Sequence, residues 1–376
     1  MKLVLFIHSL ARGGAERDMA EMANHWVKSG RDVTLLTLAG PEDDTFPLDP
    51  GVRRIGLGLM HRARGRFDAI RWNLRRWRAV RRTLRELEPD AVVSFVEKTN
   101  VLALASALFL KIPVIVSERV DPRAYSVGRG WNWLRRILYP KASALVVMTE
   151  SVRRWGERIA RRRPVFVIPN PARKMPVTSP AASKGPVDRL DPKSHCILGM
   201  GRLNPQKGFD LLIDAFSRIA PKHPDWRLEI YGEGDERPHL ERQIEMLGLT
   251  DRVFLPGWTL HPGNQFATSD LFVLSSRFEG YGNVLAEAMA AGMPVVSFDC
   301  DSGPSDIIRQ GIDGILVPKE NVEQLAATID LMCGDGELRR RLAAKAPEVL
   351  NRFSEQRFFQ QWDEVFRVVG IGGLDE

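Results

Sequence analysis

Short apolar runs alternate with stretches of helical periodicity along the whole chain. Runs rich in Val, Ile and Leu predict strands, and the amphipathic stretches between them predict helices. The predicted strands of the first half are residues 2–7, 33–38, 91–96, 113–117, 144–148 and 165–168. Those of the second half are residues 195–200, 228–231, 253–255, 271–274, 294–298 and 315–317. Because strands and helices alternate in both halves, we predict an α/β protein with two doubly wound parallel sheets.

A proline-rich stretch separates the two predicted sheets. Residues 169–192 hold six prolines among Ser, Ala, Lys and Gly, a composition that does not form a regular element. We therefore expect an N-terminal domain at 1–170, a linker at 171–192 and a C-terminal domain at 193–352. The two domains should face each other across a cleft, since ligands of such sheets bind beyond the carboxyl ends of the strands.

The end of the chain, residues 353–376, contains an amphipathic helix that is too apolar to remain in solvent. Its apolar side chains are Phe358, Phe359, Trp362, Val365, Phe366 and Val369. We expect this helix to pack back on the N-terminal domain and so to tie the two halves together.

The composition excludes several classes of protein. The chain has 376 residues, of which 44% are apolar and 27% are charged, so neither disorder nor collagen is indicated. It contains no apolar run of the roughly 18 residues that a transmembrane helix needs, and its start enters a strand pattern without a secretion leader. Cys196, Cys300 and Cys333 are far apart and indicate neither disulfides nor a zinc site. We expect a cytoplasmic protein.

The net charge of +7 conceals opposite charges on the two halves. Residues 1–185 hold 34 basic and 17 acidic side chains, whereas residues 186–376 hold 20 basic and 30 acidic ones. The first half, at +17, would attract nucleic acid, an anionic membrane or a phosphorylated ligand, and charge alone does not choose among these partners.

Two adjacent glycines follow the first predicted strand. Gly13 and Gly14 precede an apolar-periodic helix that extends to about Lys28. Glycines at a strand-to-helix turn let the backbone approach a ligand and expose helix N–H groups to an anion. A turn that merely closes the βα unit is the equally weighted alternative.

Two cations follow the first strand of the second half. Arg202 and Lys207 lie in the turn from Gly201 to Gly208, before a helix predicted at 209–220. At a strand end they could hold a diphosphate, whose leaving oxygens need fixed positive charge. A pair of ordinary surface cations is the alternative.

Two carboxylates bracket the start of a later helix. Glu279 lies in the loop before a helix predicted at 283–290, and Gly280 and Gly282 leave the backbone there accessible. Glu279 can therefore face a ligand at the helix N-terminus, whereas Glu287, one turn in, is suited to bind two ribose hydroxyls. Exposed glutamates without a ligand are the alternative.

These motifs together resemble the retaining glycosyltransferases of the GT-B fold, in the large nucleotide-sugar-dependent family four (glycosyl transferases group 1). The resemblance covers nearly the whole chain and includes the final Gly-x-Leu-Val-Pro string. It implies that Arg202 and Lys207 clamp the diphosphate, that Glu287 binds ribose and that Glu279 lies at the sugar ring. Gly13 and Gly14 would form the opposing wall. The remaining implied donor contacts are Gly280, Tyr281, Gly282, Asn283 and Val284.

The resemblance also implies a mechanism without a cofactor. Retention in this family is attributed to front-face attack, in which the leaving diphosphate helps to deprotonate the acceptor, so no metal is implied and the nucleotide-sugar is a substrate. Asp299-Cys300-Asp301 matches an Asp-x-Asp string, but it leads into a helix start that belongs to the family's own pattern.

The sequence departs from the family on the acceptor side. Many relatives have a histidine after the strand that corresponds to residues 113–116, where this chain has Ser117, Glu118 and Arg119. Either Glu118 or Arg119 takes over acceptor-side work, or the subgroup does without it. The string from Ser117 to Pro122 resembles a subset that adds N-acetylhexosamines or hexoses to polyprenyl-diphosphate-linked glycans.

A basic helix is predicted between Arg62 and Arg85, a stretch with ten arginines. One stripe is apolar and includes Ile70, Leu74 and Trp77, and we expect it to pack against the domain. The arginines Arg71, Arg75, Arg78, Arg82 and Arg85 form another stripe. At roughly 1 kcal/mol per basic residue, this stripe would attach the protein to an anionic membrane without insertion. An ordinary solvated face is the alternative.

We therefore predict a cytoplasmic, membrane-associated, metal-independent retaining glycosyltransferase. We favour a UDP-sugar as its nucleotide-sugar donor, and its acceptor would be a lipid-linked oligosaccharide or a polysaccharide precursor. A UDP-sugar 2-epimerase of similar fold is one alternative, but we expect it to lack the Glu279–Glu287 arrangement. A basic nucleic-acid-binding protein is a weaker alternative, because it would leave both carboxylates unexplained.

Overall fold

The computed structural model describes residues 1–11, 13–61, 64–125, 127–178 and 194–371, which form two compact units. Unit 1 consists of Met1–Asn170 and Phe358–Glu376, and unit 2 of Pro171–Arg357. Most of the predicted linker, from 179 onward, lies outside the described residues. Within the described part of the chain, no helix is both long enough and apolar enough to cross a bilayer.

Unit 1 contains a parallel sheet of seven strands within the described residues. The strands are β1 Lys2–Ile7, β2 Asp32–Thr37, β3 Arg53–Gly56, β4 Ala91–Phe95, β5 Val114–Ser117, β6 Ala144–Val147 and β7 Val165–Val167. Their spatial order is β3-β2-β1-β4-β5-β6-β7. The order reverses between β1 and β4, as it does in doubly wound sheets.

Helices cover both faces of this sheet because each face of its buried strands is apolar. They are α1 Gly14–Lys28, α2 Arg66–Leu87, α3 Glu97–Ala107, α4 Arg129–Leu138, α5 Glu150–Ala160 and α14 Glu355–Val369. Leu3, Leu5 and Ile7 face one core, whereas Val4 and Phe6 face the other. This alternation has the period of two that a strand imposes.

The last helix, α14, packs in unit 1 beside α1. The Trp362 ring meets the Trp26 ring edge-on with centroids 5.9 Å apart, and Phe366 lies 5.3 Å from Trp26. The other apolar residues of α14 in this core are Phe358, Phe359 and Val365. Aromatic packing of this kind buries large side chains, so α14 is an integral part of the first unit's core.

Unit 2 has a parallel sheet of six described strands in the order β10-β9-β8-β11-β12-β13. The strands are β8 His195–Met200, β9 Trp226–Tyr231, β10 Val253–Gly257, β11 Leu271–Leu274, β12 Val295–Asp299 and β13 Ile315–Pro318. The helices are α6 Phe209–Ile219, α7 Arg237–Met246, α8 Pro262–Thr268, α9 Asn283–Ala290, α10 Pro304–Ile307, α11 Val322–Gly334, α12 Gly336–Lys345 and α13 Val349–Arg352. This sheet reverses its order between β8 and β11.

In unit 1, one strand was missed and one prediction was wrong. Strand β3 was not predicted, because it is a short strand that begins with Arg53 and Arg54 and, among the described strands, pairs with β2 alone at the edge of the sheet. The apolar stripe of α2 packs only in its second half, where Val80 and Leu84 are buried. Its first half leaves Ile70 66% and Leu74 42% exposed, so α2 presents apolar as well as basic residues to the surroundings.

Candidate functional site

The predicted donor residues of unit 2 follow the two strands at which the sheet reverses. Arg202 and Lys207 follow β8, and Glu279 follows β11. In open α/β sheets, ligands bind in the crevice outside the carboxyl ends of the strands at this switch point. The fold therefore places these side chains where a ligand is expected.

Hydrogen bonds hold the loop after β8 against the loop after β11. The Gln206 side chain donates to the Phe278 carbonyl (3.0 Å), and the Arg277 N–H donates to the Gln206 carbonyl (2.8 Å). Gly208 has a φ of 60°, and a side chain at this position would collide with the Ser275 carbonyl. Only glycine permits this close approach, so the two loops are held in direct contact.

Lys207 and Glu279 form an ion pair between these loops. Lys207 Nζ lies 2.6 Å from Glu279 Oε1, and the Ser276 hydroxyl donates to the same oxygen at 2.6 Å. Both side chains are largely shielded, with 16% and 7% of their surface exposed. Sequence reasoning gave these residues separate roles, whereas the structure brings them together. A shielded pair of this kind fixes the carboxylate and the ammonium in one geometry.

Helix α9 begins just after Glu279. Its N-terminal cap, Gly282, has a φ of 102°, a left-handed conformation that favours glycine. The Gly280 carbonyl accepts a 3.1 Å hydrogen bond from the Ser302 hydroxyl, which fixes the approach to the helix. Asn283 and Val284 form the first turn and are half-buried. Their N–H groups lie at the positive end of the helix dipole, where an anion is stabilised.

The other predicted donor residues of unit 2 differ in burial. The Tyr281 ring is buried edge-on against Phe353, with centroids 5.7 Å apart, so a donor contact from Tyr281 would come from its backbone. Glu287 is buried one turn into α9, and Arg202 is exposed directly after β8. Their contacts with ribose and diphosphate stay predictions.

In unit 1, the Glu16 carboxylate lies against the loop that follows β1. Gly13 leaves room for Glu16, whose Oε2 would lie 2.1 Å from a Cβ added at Gly13. Glu16 in turn pairs with His8, Oε1 to Nε2 at 3.2 Å. An anion arriving at Gly13 and Gly14 would have to displace this carboxylate, and their donor contact stays a prediction.

Glu118 lies after β5, but its side chain is buried rather than directed to an acceptor. It accepts a hydrogen bond from the Tyr139 hydroxyl, and Arg135 Nη1 lies 3.4 Å from its Oε1. Burial raises the pKa of Glu118 to about 7, against the lowering effect of Arg135 and with a smaller upward contribution from Glu97. Only 3% of the side chain is exposed, so the predicted catalytic contact with an acceptor does not fit this structure.

Arg119 is also buried, so the predicted contact of Arg119 with an acceptor or a membrane surface does not fit this structure. Its Nη2 bonds the Asp18 carboxylate and donates to Asn170 Oδ1 at 2.5 Å. The Asn170 amide donates to the same Asp18 carboxylate at 2.7 Å. The guanidinium lies over the Phe95 ring, 4.3 Å from its centroid. Arg119 therefore ties the end of β5 to α1 and to Asn170, the last residue of the first segment of unit 1.

The raised pKa of Glu118 predicts a pH dependence of stability. The folded protein holds the proton up to about pH 7, whereas the unfolded chain releases it near the ordinary value of 4.5. This pKa difference stabilises the folded state by at most about 3 kcal/mol. The stabilisation is complete below about pH 4.5 and is lost as the pH rises through 7. We expect the thermal unfolding midpoint of wild type to decrease relative to that of Glu118→Gln as the pH is raised from 5 to 8. A constant difference across this range would contradict the assignment.

Sequence reasoning missed several partners of the predicted residues. Asp18 carried a usable signal, because it lies four and eight residues before Met22 and Trp26 on the buried stripe of α1. An acidic residue on such a stripe indicates a buried cation nearby. Ser276, Tyr139 and Asn170 carried no comparable signal, since their contacts depend on the tertiary fold.

The second aspartate of the Asp-x-Asp string pairs with a lysine of unit 2. Asp301 pairs with Lys319 at 3.0 Å, and burial raises the pKa of the Cys300 thiol to about 12. Among the residues for which the structure gives a position, no group of three or more His, Cys, Asp or Glu could hold a metal ion.

Comparison with known proteins agrees with the two units. A profile of the glycosyl transferase 4-like domain matches residues 13–171, and one of the glycosyl transferases group 1 matches residues 186–349. Over 293 residues the chain is 35% identical to an exopolysaccharide phosphotransferase of Streptomyces coelicolor, which covers 76% of this chain but only 29% of that protein.

Full-length relatives and solved structures extend this similarity. The chain is 27% identical over 369 residues to a Campylobacter jejuni enzyme named as an α-1,4-N-acetyl-D-galactosaminyltransferase acting on a diNAcBac-PP-undecaprenol glycan, covering 96% of this chain and 97% of that one. The structure of Anabaena Alr3699/HepE in complex with UDP superposes with a TM-score of 0.77 at 20% identity, covering 98% of this chain and all of that chain. With its two matched domains and two parallel sheets, this chain belongs to the glycosyl transferases group 1 family and is a glycosyltransferase of the GT-B fold.

Proposed function

We propose that this glycosyltransferase moves a sugar from a UDP donor to a lipid-linked oligosaccharide or a polysaccharide precursor, with retention of configuration and without a metal. The observation that carries the proposal is the Lys207–Glu279 pair at the switch point of unit 2, next to the start of α9. A cation, a carboxylate and a helix N-terminus at one place suit a sugar linked to a diphosphate.

The charges of this site supply what the reaction needs. The diphosphate of the donor gains negative charge as the bond to the sugar breaks. The exposed guanidinium of Arg202, the Lys207 ammonium and the N–H groups of α9 can stabilise that charge. The departing diphosphate can then accept the proton of the acceptor hydroxyl, so that no protein nucleophile is required.

The choice of donor and acceptor rests on relatives. The HepE structure contains UDP, and the Campylobacter enzyme acts on a polyprenyl-linked glycan. We assign the donor to unit 2 and the acceptor to unit 1, where the positive charge of the chain is concentrated. An acceptor that carries a diphosphate would be attracted to this unit.

We also propose that the enzyme works in the cytoplasm at an anionic membrane, to which α2 attaches it. Arg71 and Arg75 are exposed on its first half, near Phe67, which is 91% exposed, and Ile70, and Arg78 is exposed at the start of its second half. Apolar and basic residues side by side are typical of a helix that lies in the membrane interface. The further arginine Arg82 is exposed one turn on and pairs loosely with Glu86.

Replacing Arg71, Arg75 and Arg78 with Gln should weaken binding to phosphatidylglycerol vesicles by on the order of 100-fold, because each basic residue contributes about 1 kcal/mol. Vesicle co-sedimentation measures this, while UDP binding should persist. The matched control replaces the exposed arginines Arg242, Arg340 and Arg341 of unit 2 with Gln. Equal co-sedimentation of the α2 variant and wild type would show that the arginines of α2 do not bind the membrane.

The direct test of the proposed function is transfer itself. The protein is incubated with a panel of UDP-sugars and an undecaprenyl-diphosphate-linked N-acetylhexosamine, and the product is analysed by mass spectrometry and NMR. We expect one added sugar with the anomeric configuration of the donor, in the presence of EDTA. An inverted product, or a UDP-sugar epimerised at C2 without transfer, would contradict the proposal.

A further inference from the structure

Glu118 and Arg119, the two residues that follow β5, make contacts on opposite faces of the unit 1 sheet. Glu118 contacts Tyr139 and Arg135 on the face that α3 and α4 cover. Arg119 contacts Asp18 of α1 and lies over Phe95 on the other face. The segment that leaves β5 is thus fixed on both sides by buried charges of opposite sign.

The segment that follows Arg119 contains a further buried carboxylate, that of Asp121, which accepts hydrogen bonds from the residues after it. Asp121 is buried and accepts hydrogen bonds from the backbone N–H of Arg123 (2.8 Å) and from its Nε (2.9 Å). Arg123 and Tyr125 are both more than one-third exposed. Asp121 therefore holds the Arg123 guanidinium, and its carbonyl accepts a hydrogen bond from the Tyr125 N–H (3.1 Å), at the carboxyl edge of the sheet.

The neighbouring strand end is strained. Val96, directly after β4, has a φ of 73°, a conformation that is unfavourable for a β-branched residue. Its N–H donates to the Ser117 carbonyl (3.2 Å), to which the Asn100 amide also donates (2.9 Å). Strain that the surrounding contacts maintain concentrates at functional sites.

We propose that Glu118 and Arg119 are positioning residues that hold the segment 120–125 in place for the sugar acceptor, an inference that rests on the assignment of the acceptor to unit 1. Two buried charges in adjacent positions are costly, and apolar residues of similar size would pack there at lower cost. We infer that Glu118 and Arg119 occur at this carboxyl edge because they fix the geometry of the segment, and not because they stabilise it.

The Glu118 contact depends on protonation near neutral pH. Among the described residues, the groups that act on it are Glu97 of α3, Arg135 of α4 and the Tyr139 hydroxyl, to which the Asn100 amide of α3 donates a hydrogen bond (3.2 Å). Burial and the Glu118 carboxyl raise the pKa of Tyr139 well above its ordinary value, so its hydroxyl stays protonated and donates. When Glu118 takes up a proton, it loses the charge that attracts Arg135. The acceptor should therefore bind less well as the pH falls below about 7.

The test compares Glu118→Gln with Glu150→Gln, an exposed glutamate at the start of α5 on the same sheet edge. Donor and acceptor kinetics are measured from pH 6 to 8 with undecaprenyl-diphosphate-linked N-acetylhexosamine as the acceptor probe. We expect Glu118→Gln to raise the acceptor KM about tenfold at pH 8 and to abolish its pH dependence. The donor KM and the hydrolysis of donor by water should change less than about twofold.

A second variant keeps the inference testable if Glu118→Gln folds poorly. Tyr139→Phe retains the ring but removes the hydrogen bond that lowers the pKa of Glu118. The midpoint of the acceptor KM profile should move to higher pH, which a merely structural role would not cause. Acceptor kinetics and pH profiles equal to wild type in both variants would overturn the inference. A wild-type protein that transfers no sugar would contradict the proposed function, and this inference with it.

Discussion

Lys207→Ala should lower sugar transfer about 100-fold, as the loss of one preorganised electrostatic partner does in other enzymes. The variant removes the ammonium that is bonded to Glu279 Oε1. The shielded Glu279 carboxylate then keeps its hydrogen bond from the Ser276 hydroxyl but loses the Lys207 cation. Glu279→Ala should have an effect of similar size, because it removes the carboxylate that holds Lys207. Steady-state rates with saturating UDP-sugar measure both variants.

The matched control for Lys207 is Lys222→Ala. Lys222 also pairs with a carboxylate of unit 2, Asp330 at 3.1 Å, but it is two-thirds exposed on the surface. Its removal should leave transfer unchanged, because exposed pairs contribute little. If Lys207→Ala and Glu279→Ala both keep nearly full activity while folded, the pair lies outside the active site.

Arg119→Ala should destabilise unit 1 by about 3–5 kcal/mol, because it removes the guanidinium that is bonded to the buried Asp18 carboxylate. Asp18 is fully buried, and the Asn170 amide, which has no charge, cannot replace the guanidinium. For a unit of this size the thermal unfolding midpoint should fall by on the order of 10 °C. Calorimetry measures this shift.

Arg153→Ala provides the comparison for Arg119. Arg153 lies on α5 of the same unit and pairs with Glu150 at 3.1 Å, but both side chains are exposed. Its replacement should barely move the midpoint, since solvent screens such pairs. Equal midpoints for Arg119→Ala and Arg153→Ala would show that the buried contact is not a stabilising one.

The alternation of strands and helices made most of the fold predictable. Strands 195–200 and 271–274 and the helix 283–290 occur as predicted, because apolar runs and glycine stops define them locally. Strand β3 escaped prediction because an edge strand needs no apolar run. The two halves of α2 have the same periodicity, and only the tertiary fold decides that Val80 packs while Ile70 does not.

The candidate site could be predicted only where its residues are close in sequence. The loop from Glu279 to Val284 was recognisable as a unit, because its glycines and helix start are adjacent. The pairing of Lys207 with Glu279 joins residues 72 positions apart, and that of Arg119 with Asp18 joins residues 101 positions apart. No local pattern records such contacts, so the burial of Glu118 and Arg119 required the structure.

Thermal unfolding of wild type and Glu287→Ala with UDP, GDP and ADP tests the central claim most directly. A nucleotide at about 100 times its dissociation constant stabilises the folded state by about 2.7 kcal/mol. We predict a higher unfolding midpoint for wild type with UDP, a much smaller change with GDP or ADP, and loss of the UDP effect in Glu287→Ala. A shift with GDP or ADP instead of UDP, or none with any nucleotide, would contradict the proposed UDP-sugar donor. An undiminished UDP effect in Glu287→Ala would remove Glu287 from the ribose site.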